Sequence, residues 1–224
     1  VDVIPFVPLG EATMEQAVAT ARQVGQELGA RLQLPVYLYE AAASRPERRN
    51  LADVRHGEYE GLAEKMADPA WKPDYGPAHP HPTAGAVAVG ARIFLVAYNV
   101  NLNTTSTRRA NAIAFDIREA GRKVKQADGS ETQVPGKLKS VKGIGWFIEE
   151  YGIAQLSLNL TDLDVAPMHV AFDEACKSAL GRGIRVTGSE LVGLVPKQAL
   201  LDAADFYLHR QERSLGISER EKIK

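Results

Sequence analysis

Uncharged polar side chains alternate with apolar ones near the end of one predicted strand, at residues 93–102, and throughout a second, at residues 154–161. Side chains alternate between the two faces of a strand, so the polar residues of each strand share one face. Amides and hydroxyls both donate and accept hydrogen bonds, which suits a semi-buried cleft for a polar ligand. A solvated open face is the alternative, although such faces usually carry Lys and Glu. The residues of this polar sheet face are Asn99 and Asn101 in the first strand, and Gln155, Ser157 and Asn159 in the second.

A loop rich in Pro and Gly, at residues 69–90, carries the second set of candidate side chains. His79 and His81 stand two residues apart in it, and alternate side chains of an extended backbone point the same way. A pair of metal ligands is therefore conceivable. A third ligand is not evident, so the sequence favours two exposed loop histidines and predicts no metal site.

Two further patterns give no catalytic motif. The stretch Gly85–Arg92 has the glycine spacing of a phosphate-binding loop but lacks the Lys-Ser/Thr that must follow, which excludes nucleotide binding there. Positive charge is concentrated between residues 118 and 142. Such a run is usually a solvated loop, and the alternative is a surface that attracts a polyanion.

The composition excludes several classes of protein. With 27 Lys and Arg against 28 Asp and Glu, the net charge is -1, which argues against a general nucleic-acid binder. No apolar run approaches the roughly 20 residues of a membrane helix. Cys176 is the single cysteine, so the chain can form no internal disulfide, and a reducing cytoplasm fits.

The elements that must position these residues fall into two halves. The first half predicts a strand at 1–8, a helix opened by a Thr13–Gln16 capping box and closed at Gly29, and a buried strand at 36–39. It continues with a solvent-facing segment at 44–50 and a helix at 51–68. The loop 69–90 then leads to a boundary near residues 90–92.

The second half has the order β-α-β-β-α-β-α, which predicts a ferredoxin-like βαββαβ subdomain. In that fold the strands at 93–102 and 154–161 are adjacent at the sheet centre. We therefore predict an α+β protein, an α/β sandwich of two stacked subdomains at 1–91 and 92–224. The predicted elements are strands at 93–102, 141–149, 154–161 and 185–195, helices at 107–120, from 167 and at 196–208, and a loop at 122–137.

A strand stands at residue 1 without an initiator Met, so we expect that an upstream segment has been removed. We treat the chain as a fragment of a longer protein on this basis.

Short stretches in order along nearly the whole chain resemble the formiminotransferase domain of the glutamate formimidoyltransferase and formimidoyltransferase-cyclodeaminase family. Each stretch alone is weak evidence for this family, but all of them together are specific to it. The matching stretches are Val1–Pro8, Pro35–Tyr39, Gly57–Glu60, Asp74–Pro77, Gly85–Arg92, Asn99–Leu102, Gly143–Trp146, Asn159–Leu160 and Gly188–Pro196.

The resemblance implies two α/β subdomains with folate bound between them, and a folate-binding loop at 76–85. It also implies that the family's catalytic histidine would lie upstream of Val1, so no catalytic residue is assigned here. We therefore expect that residues 1–224 alone do not transfer the formimino group at a useful rate. From the resemblance, the predicted substrate-binding residues are Gly76, Pro77, Ala78, His79, Pro80, His81, Pro82, Thr83, Ala84 and Gly85. The alternation of the strands adds Asn99, Asn101, Ser157 and Asn159, which the resemblance does not supply. His79, His81 and Ala84 stand where family members can have other residues, including aromatics.

The implied activity is transfer of the formimino group from N-formimino-L-glutamate to tetrahydrofolate, a cosubstrate, in histidine degradation and without a metal. The expected partners are these small molecules and a second copy of the chain, in the cytoplasm, with no nucleic acid or membrane. The alternative is a folate-binding or regulatory paralogue without catalysis. A ferredoxin-like RNA binder would need aromatic side chains on the central strands, where this sequence has Asn, Gln and Ser.

Overall fold

The computed structural model describes residues 2–215, with side chains up to residue 211. The chain divides into two compact units between Ile93 and Phe94. Both units mix helices with strands, which confirms the α+β class.

The first unit contains a three-stranded parallel sheet with β3 at its centre, in the order β1-β3-β2. Helix α1 packs on one face of the sheet, and α2 and α3 cover part of the other. Its elements are β1 (Val3–Phe6), α1 (Met14–Leu32), β2 (Val36–Glu40), α2 (Leu51–Arg55), α3 (Leu62–Ala67) and β3 (Val87–Ala91), with single 3₁₀ turns at Pro46–Arg48 and Pro69–Trp71.

The predicted capping box starts α1: the Thr13 hydroxyl accepts a hydrogen bond from the Gln16 backbone nitrogen, and the Gln16 side-chain oxygen accepts one from the Thr13 backbone nitrogen. The predicted end at Gly29 is wrong, since the helix continues to Leu32. Gly29 allows a close approach instead: a Cβ there would lie 2.7 Å from the backbone nitrogen of Gly76.

Three other expectations for the first half are corrected. The segment 44–50 does not simply face solvent, because Arg48 is only 1% exposed. The helix expected at 51–68 is interrupted, since Gly57 and Glu58 adopt positive φ values of 90° and 50° between α2 and α3. The loop expected at 69–90 ends early, because residues 87–91 form the central strand.

The second unit is a four-stranded antiparallel sheet in the order β7-β8-β4-β9. This is the order of a βαββαβ ferredoxin-like fold, which confirms the prediction that the two polar strands, β4 and β8, are neighbours. Leu156, Leu158 and Leu160 are fully buried in a core shared with α4 and α5. Its elements are β4 (Val96–Leu102), α4 (Thr107–Ile117), β5 (Arg122–Lys125), β6 (Glu131–Val134), β7 (Val141–Ile148), β8 (Ile153–Leu160), α5 (Met168–Leu180), β9 (Val186–Val192) and α6 (Lys197–Leu215).

The expected loop at 122–137 is instead a β-hairpin formed by β5 and β6. Asp128 accepts hydrogen bonds from the Ser130 backbone and hydroxyl, and Gly129 has a φ of 84°, which closes the turn. Asp116 of α4 pairs with Arg122 and Arg182, which ties the start of the hairpin to the helices. Across residues 2–215, no helix is long and apolar enough to span a membrane.

Candidate functional site

The polar sheet face is assembled by the register of β4 against β8. Asn99 stands opposite Ser157, and Asn101 stands opposite Gln155. Asn159 is opposite Ala97 and is exposed, so it lies at one end of the face. The five predicted residues therefore form one continuous surface in the second unit.

Gln155 is the most constrained residue of this face, since it is fully buried. Its Nε2 donates to Oδ1 of Asn101 at 2.5 Å. Among the described residues its Oε1 has no hydrogen-bond partner. A buried acceptor without a partner is costly, and a ligand N–H group would satisfy it.

The strand register also brings residues to this face that the sequence analysis did not assign to it. Glu190 of β9 stands opposite Asn99, and its Oε2 accepts from Asn99 Nδ2 at 3.4 Å. Trp146 of β7, 42% exposed, stands opposite Gln155. Lys142 stands opposite Asn159, so charged groups flank the uncharged centre. The alternation of side chains along β7 and β9 indicates which of their residues share a face. Assigning those residues to the polar sheet face also requires the register of each strand against its neighbour.

The predicted folate loop, residues 76–85, lies in the first unit and begins at a constrained glycine. Gly76 has a φ of 80°, and a Cβ there would lie 2.2 Å from the carbonyl oxygen of Leu34. At the far end, His81 and Gly85 exchange two backbone hydrogen bonds of 2.8 and 2.9 Å. Both ends are therefore fixed to defined positions.

His81 has a structural contact within this loop. Its Nδ1 accepts hydrogen bonds from the backbone nitrogens of Thr83 and Ala84, at 3.3 and 3.1 Å. His79 is exposed, and its Nδ1 lies 3.4 Å from the carbonyl oxygen of Pro80. Among the side chains described, which end at residue 211, no group of three or more His, Cys, Asp or Glu is placed to hold a metal ion.

A buried ion pair anchors the segment that leads into the loop. Arg48 Nη1 donates to Asp74 Oδ2 at 2.8 Å, and the same oxygen accepts from the Leu38 backbone nitrogen at 2.8 Å. Arg48 Nη2 donates to the carbonyl oxygens of Ala70 and Lys72. The guanidinium thus joins the segment before the loop to β2. Burial, despite the opposing charge of Arg48, raises the pKa of the neighbouring Tyr37 to about 12.

A cavity of about 810 Å³ lies in the first unit beside the end of this loop. Thr83 to Gly85 form one wall, and the turn Gly57–Tyr59 forms another. A Cβ added at Gly85 would lie 3.1 Å from the Tyr59 ring, so the two walls are in close contact. Arg55 and Asp2, paired at 2.6 Å, also line this Arg55 cavity.

Lys65 holds the turn that forms the second wall. Its Nζ donates to the carbonyl oxygens of Asp53, Val54 and His56, at 2.6, 2.7 and 3.2 Å. These carbonyls lie at the end of α2, where a cation is favourable. Burial lowers the pKa of Lys65, against the opposing effect of Asp53.

The structure therefore gathers the predicted residues into two groups, the loop in the first unit and the polar sheet face in the second. The arrangement offers hydrogen-bond donors and acceptors for a polar ligand and a cavity with charges of both signs. That the loop and the face border one cleft stays a prediction, as do the binding roles of their residues.

Two family models match this chain. The model described as "Formiminotransferase domain, N-terminal subdomain" matches residues 1–92, and the model described as "Formiminotransferase domain" matches residues 97–224. Together they span both units.

Curated proteins of the same kind are similar to the chain over most of its length. A formimidoyltransferase-cyclodeaminase of Gallus gallus is 47% identical over 223 residues, which is 100% of this chain and 39% of that protein. Glutamate formimidoyltransferases of Streptococcus pyogenes and Thermoplasma acidophilum are 41% and 42% identical, over 94% and 92% of this chain and 66% and 64% of their own lengths. The chain thus spans about two fifths of the first relative and just under two thirds of the other two.

Proposed function

Since the chain belongs to the formiminotransferase family, we propose that it forms part of a glutamate formimidoyltransferase. The reaction would move the formimino group of N-formimino-L-glutamate to tetrahydrofolate. The observation that carries the proposal is the match to two relatives that are themselves named glutamate formimidoyltransferase, at 41% and 42% identity. We propose that the two units correspond to the two formiminotransferase subdomains, 1–91 and 92–224.

The reaction requires fixed hydrogen-bond donors and an acid/base group. Attack of a pteridine nitrogen on the amidine carbon gives a tetrahedral intermediate, from which glutamate leaves. Fixed donors stabilise such an intermediate, and an acid/base group must move the protons. In this proposal the family's histidine, expected upstream of Val1, would supply the acid/base group.

The polar sheet face would contact the folate. A pterin presents a fused row of ring nitrogens, an exocyclic amine and a carbonyl, which pair well with amides. Gln155 offers an unpaired Oε1, and Asn101 is tied to it. Asn99, Ser157 and Asn159 would complete the contacts, with loop 76–85 as the second contributor.

Titration with folinic acid tests the binding part of the proposal. Replacing Asn101 and Asn159 together by Ala should weaken binding by on the order of 10-fold or more, since each hydrogen bond contributes about 0.5–1.5 kcal/mol. Gln198→Ala, an exposed amide on α6 that bonds Asp202, is the matched control and should leave binding unchanged. Unchanged binding in the double variant would remove these residues from the site.

An activity assay separates the enzyme from the alternative of a binding or regulatory paralogue. Formimino transfer is measured with residues 1–224 and with the complete gene product side by side. We expect transfer from the complete product and a rate lower by about 10²–10⁴-fold or more from the chain alone, the usual cost of losing a general acid/base. Comparable rates would refute the missing-histidine argument, and folate binding without transfer by the complete product would support the paralogue. Homodimer formation and a cytoplasmic location stay predictions.

A further inference from the structure

The two edge strands of the four-stranded sheet, β7 and β9, differ in how their outer backbone groups are satisfied. On β7, Asn111 of α4 donates from Nδ2 to the Gly145 carbonyl oxygen and accepts from the Gly145 nitrogen, both at 3.0 Å. Arg118 donates to the Gly143 carbonyl oxygen at 3.2 Å. These contacts occupy the groups with which a further strand would pair, so they close the edge of β7.

The outer edge of β9 has no cover of this kind. Among the described residues, no backbone group of residues 186–192 forms a hydrogen bond outside the pairing with β4. Such an edge presents N–H and C=O groups that pair with another strand unless Lys or Pro blocks it, and β9 contains neither. The irregularity in register opposite Asn101 and Leu102 falls at the start of β9, so residues 188–192 are regularly paired. The outer edge of β9 is therefore open to a further strand.

Apolar side chains lie exposed on and beside this edge. Leu191 and Val192 are 37% and 49% exposed, and Leu194, just after the strand, is 82% exposed. Exposed apolar residues along an unpaired strand favour association through that strand. We propose that β9 pairs with β9 of a second copy of the chain, antiparallel across a two-fold axis. The pairing joins two four-stranded sheets into one sheet of eight strands.

The sequence of β9 decides where the two-fold axis lies. In such a pair, residues at equal distances before and after the axis face each other. Gly193 has a φ of 82°, so the strand ends at Val192 and its central residue is Ser189. An axis at Glu190 would instead oppose two carboxylates, which destabilises a strand pair. The axis therefore lies at Ser189.

This register is complementary along the strand. Glu190 faces a glycine, so its carboxylate meets no like charge, and it can keep its hydrogen bond to Asn99 of β4. Each exposed leucine of the strand faces an exposed threonine of the other copy. Seven residues exceed the usual strand length of about 5–6, so the pairing is as extensive as one inside a sheet. The facing residues are Ser189 with Ser189, Glu190 with Gly188, Leu191 with Thr187 and Val192 with Val186.

Disulfide trapping in the 224-residue chain tests the register. In a Cys176→Ser background, which has no other cysteine, Ser189→Cys places two thiols opposite each other, with Cβ atoms about 4.5–5.5 Å apart. Leu191→Cys is the matched control, because its two thiols would be about 13 Å apart along the strands. We expect mild oxidation to give a covalent dimer with Ser189→Cys and none with Leu191→Cys. Trapping of Leu191→Cys instead, of both equally or of neither overturns the proposal.

Sedimentation equilibrium tests the surface independently of the register. We expect the 224-residue chain to form dimers, and Leu191→Lys to weaken dimerisation on the order of 10-fold or more, because the axis repeats the change in both copies. Val124→Lys is the matched control, since Val124 is also 37% exposed and lies in a strand, β5. A monomeric chain, or equal dimerisation by the two variants, overturns the proposal even if folate binds and transfer occurs.

The complete gene product distinguishes a second copy from another occupant of this edge. We expect Ser189→Cys to be trapped between two copies of that product as well. Trapping that occurs in the 224-residue chain and is lost in the complete product would assign the edge to another segment of the product, and this result also overturns the proposal.

Discussion

Arg48 should be among the side chains on which the first unit depends most. It is 1% exposed and its partner Asp74 is 10% exposed, and the guanidinium also donates to two backbone carbonyls. Its carbon centre lies 5.2 and 5.8 Å from the ring centroids of Tyr37 and Trp71. Arg48→Met keeps most of the side-chain length but removes every one of these donors.

Removing one partner of a buried ion pair typically costs about 3–5 kcal/mol, because the other charge stays buried. Asp74 would retain the Leu38 backbone donor and the Ser44 hydroxyl, so we expect the lower end, about 3 kcal/mol. The cost of Arg48→Lys should be smaller than that of Arg48→Met but not zero, since lysine keeps the charge without the fork of donors. Arg31→Met, which breaks an exposed i,i+4 pair, should cost only about 0.3–0.5 kcal/mol.

Urea unfolding followed by tryptophan fluorescence measures these differences. The protein has two tryptophans, Trp71 in the first unit and Trp146 in the second, so a Trp146→Phe background reports on the first unit alone. The reasoning would be refuted if Arg48→Met cost less than about 1 kcal/mol, since that lies within the range of a surface pair. It would also be refuted if Arg48→Met and Arg31→Met unfolded at the same urea concentration.

Three further predictions concern the second unit. Gly145→Ala should lower the free energy of unfolding by about 1–3 kcal/mol, because its Cβ would lie 2.2 Å from the Asn111 backbone nitrogen; Gly188→Ala, with nothing nearer than 3.9 Å, is the control, and equal urea midpoints would contradict this. Burial lowers the pKa of His169 despite the opposing charges of Asp202 and Asp173, so the unfolded chain takes up the proton at a higher pH than the folded chain. The free energy of unfolding should therefore fall as the pH drops from the ordinary pKa of histidine through the lowered one. His169→Phe should lose less free energy of unfolding over that pH range, and an equal loss would be evidence against this reasoning. Burial would raise the pKa of Asp116, but Ser178, Arg182 and Arg122 hold that pKa below its ordinary value. Asp116→Asn should therefore lower the free energy of unfolding by about 1 kcal/mol at pH 7, and this difference should shrink as the pH falls through the lowered pKa. A difference in urea midpoint that does not change with pH would argue against the ion pairs.

The glycines and histidines of the loop show which local features can be predicted from sequence patterns and which cannot. Gly76 and Gly85 are the loop ends that the family resemblance implied, and both have positive φ. That His81 caps its own loop could not be read from the sequence, because the contact depends on the backbone path of residues 81–84. Gly29 misled for the same reason: a glycine that closes a helix and one that admits a neighbouring chain look alike along a sequence.

The sequence by itself determined the features that depend on neighbours a few residues apart. The Thr13 cap, the alternation of Gln155, Ser157 and Asn159, and the order of the sheet strands and helices in the second unit, apart from the β5–β6 hairpin, all follow from spacing within single elements. Right-handed crossovers then leave few topologies for such an order. This is why the ferredoxin-like sheet and its polar face could be predicted.

Only the tertiary structure decided which side chains meet across elements. Arg48 is polar and lies in a charged segment, yet contacts with Asp74 and the carbonyls of residues 70 and 72 bury it. Glu190 joins the polar sheet face through the register of β9, and the Arg55 cavity exists because the turn 57–61 approaches the end of loop 76–85. These pairings depend on contacts between residues distant in sequence, where a shift of one residue in register would turn each strand side chain to the opposite face.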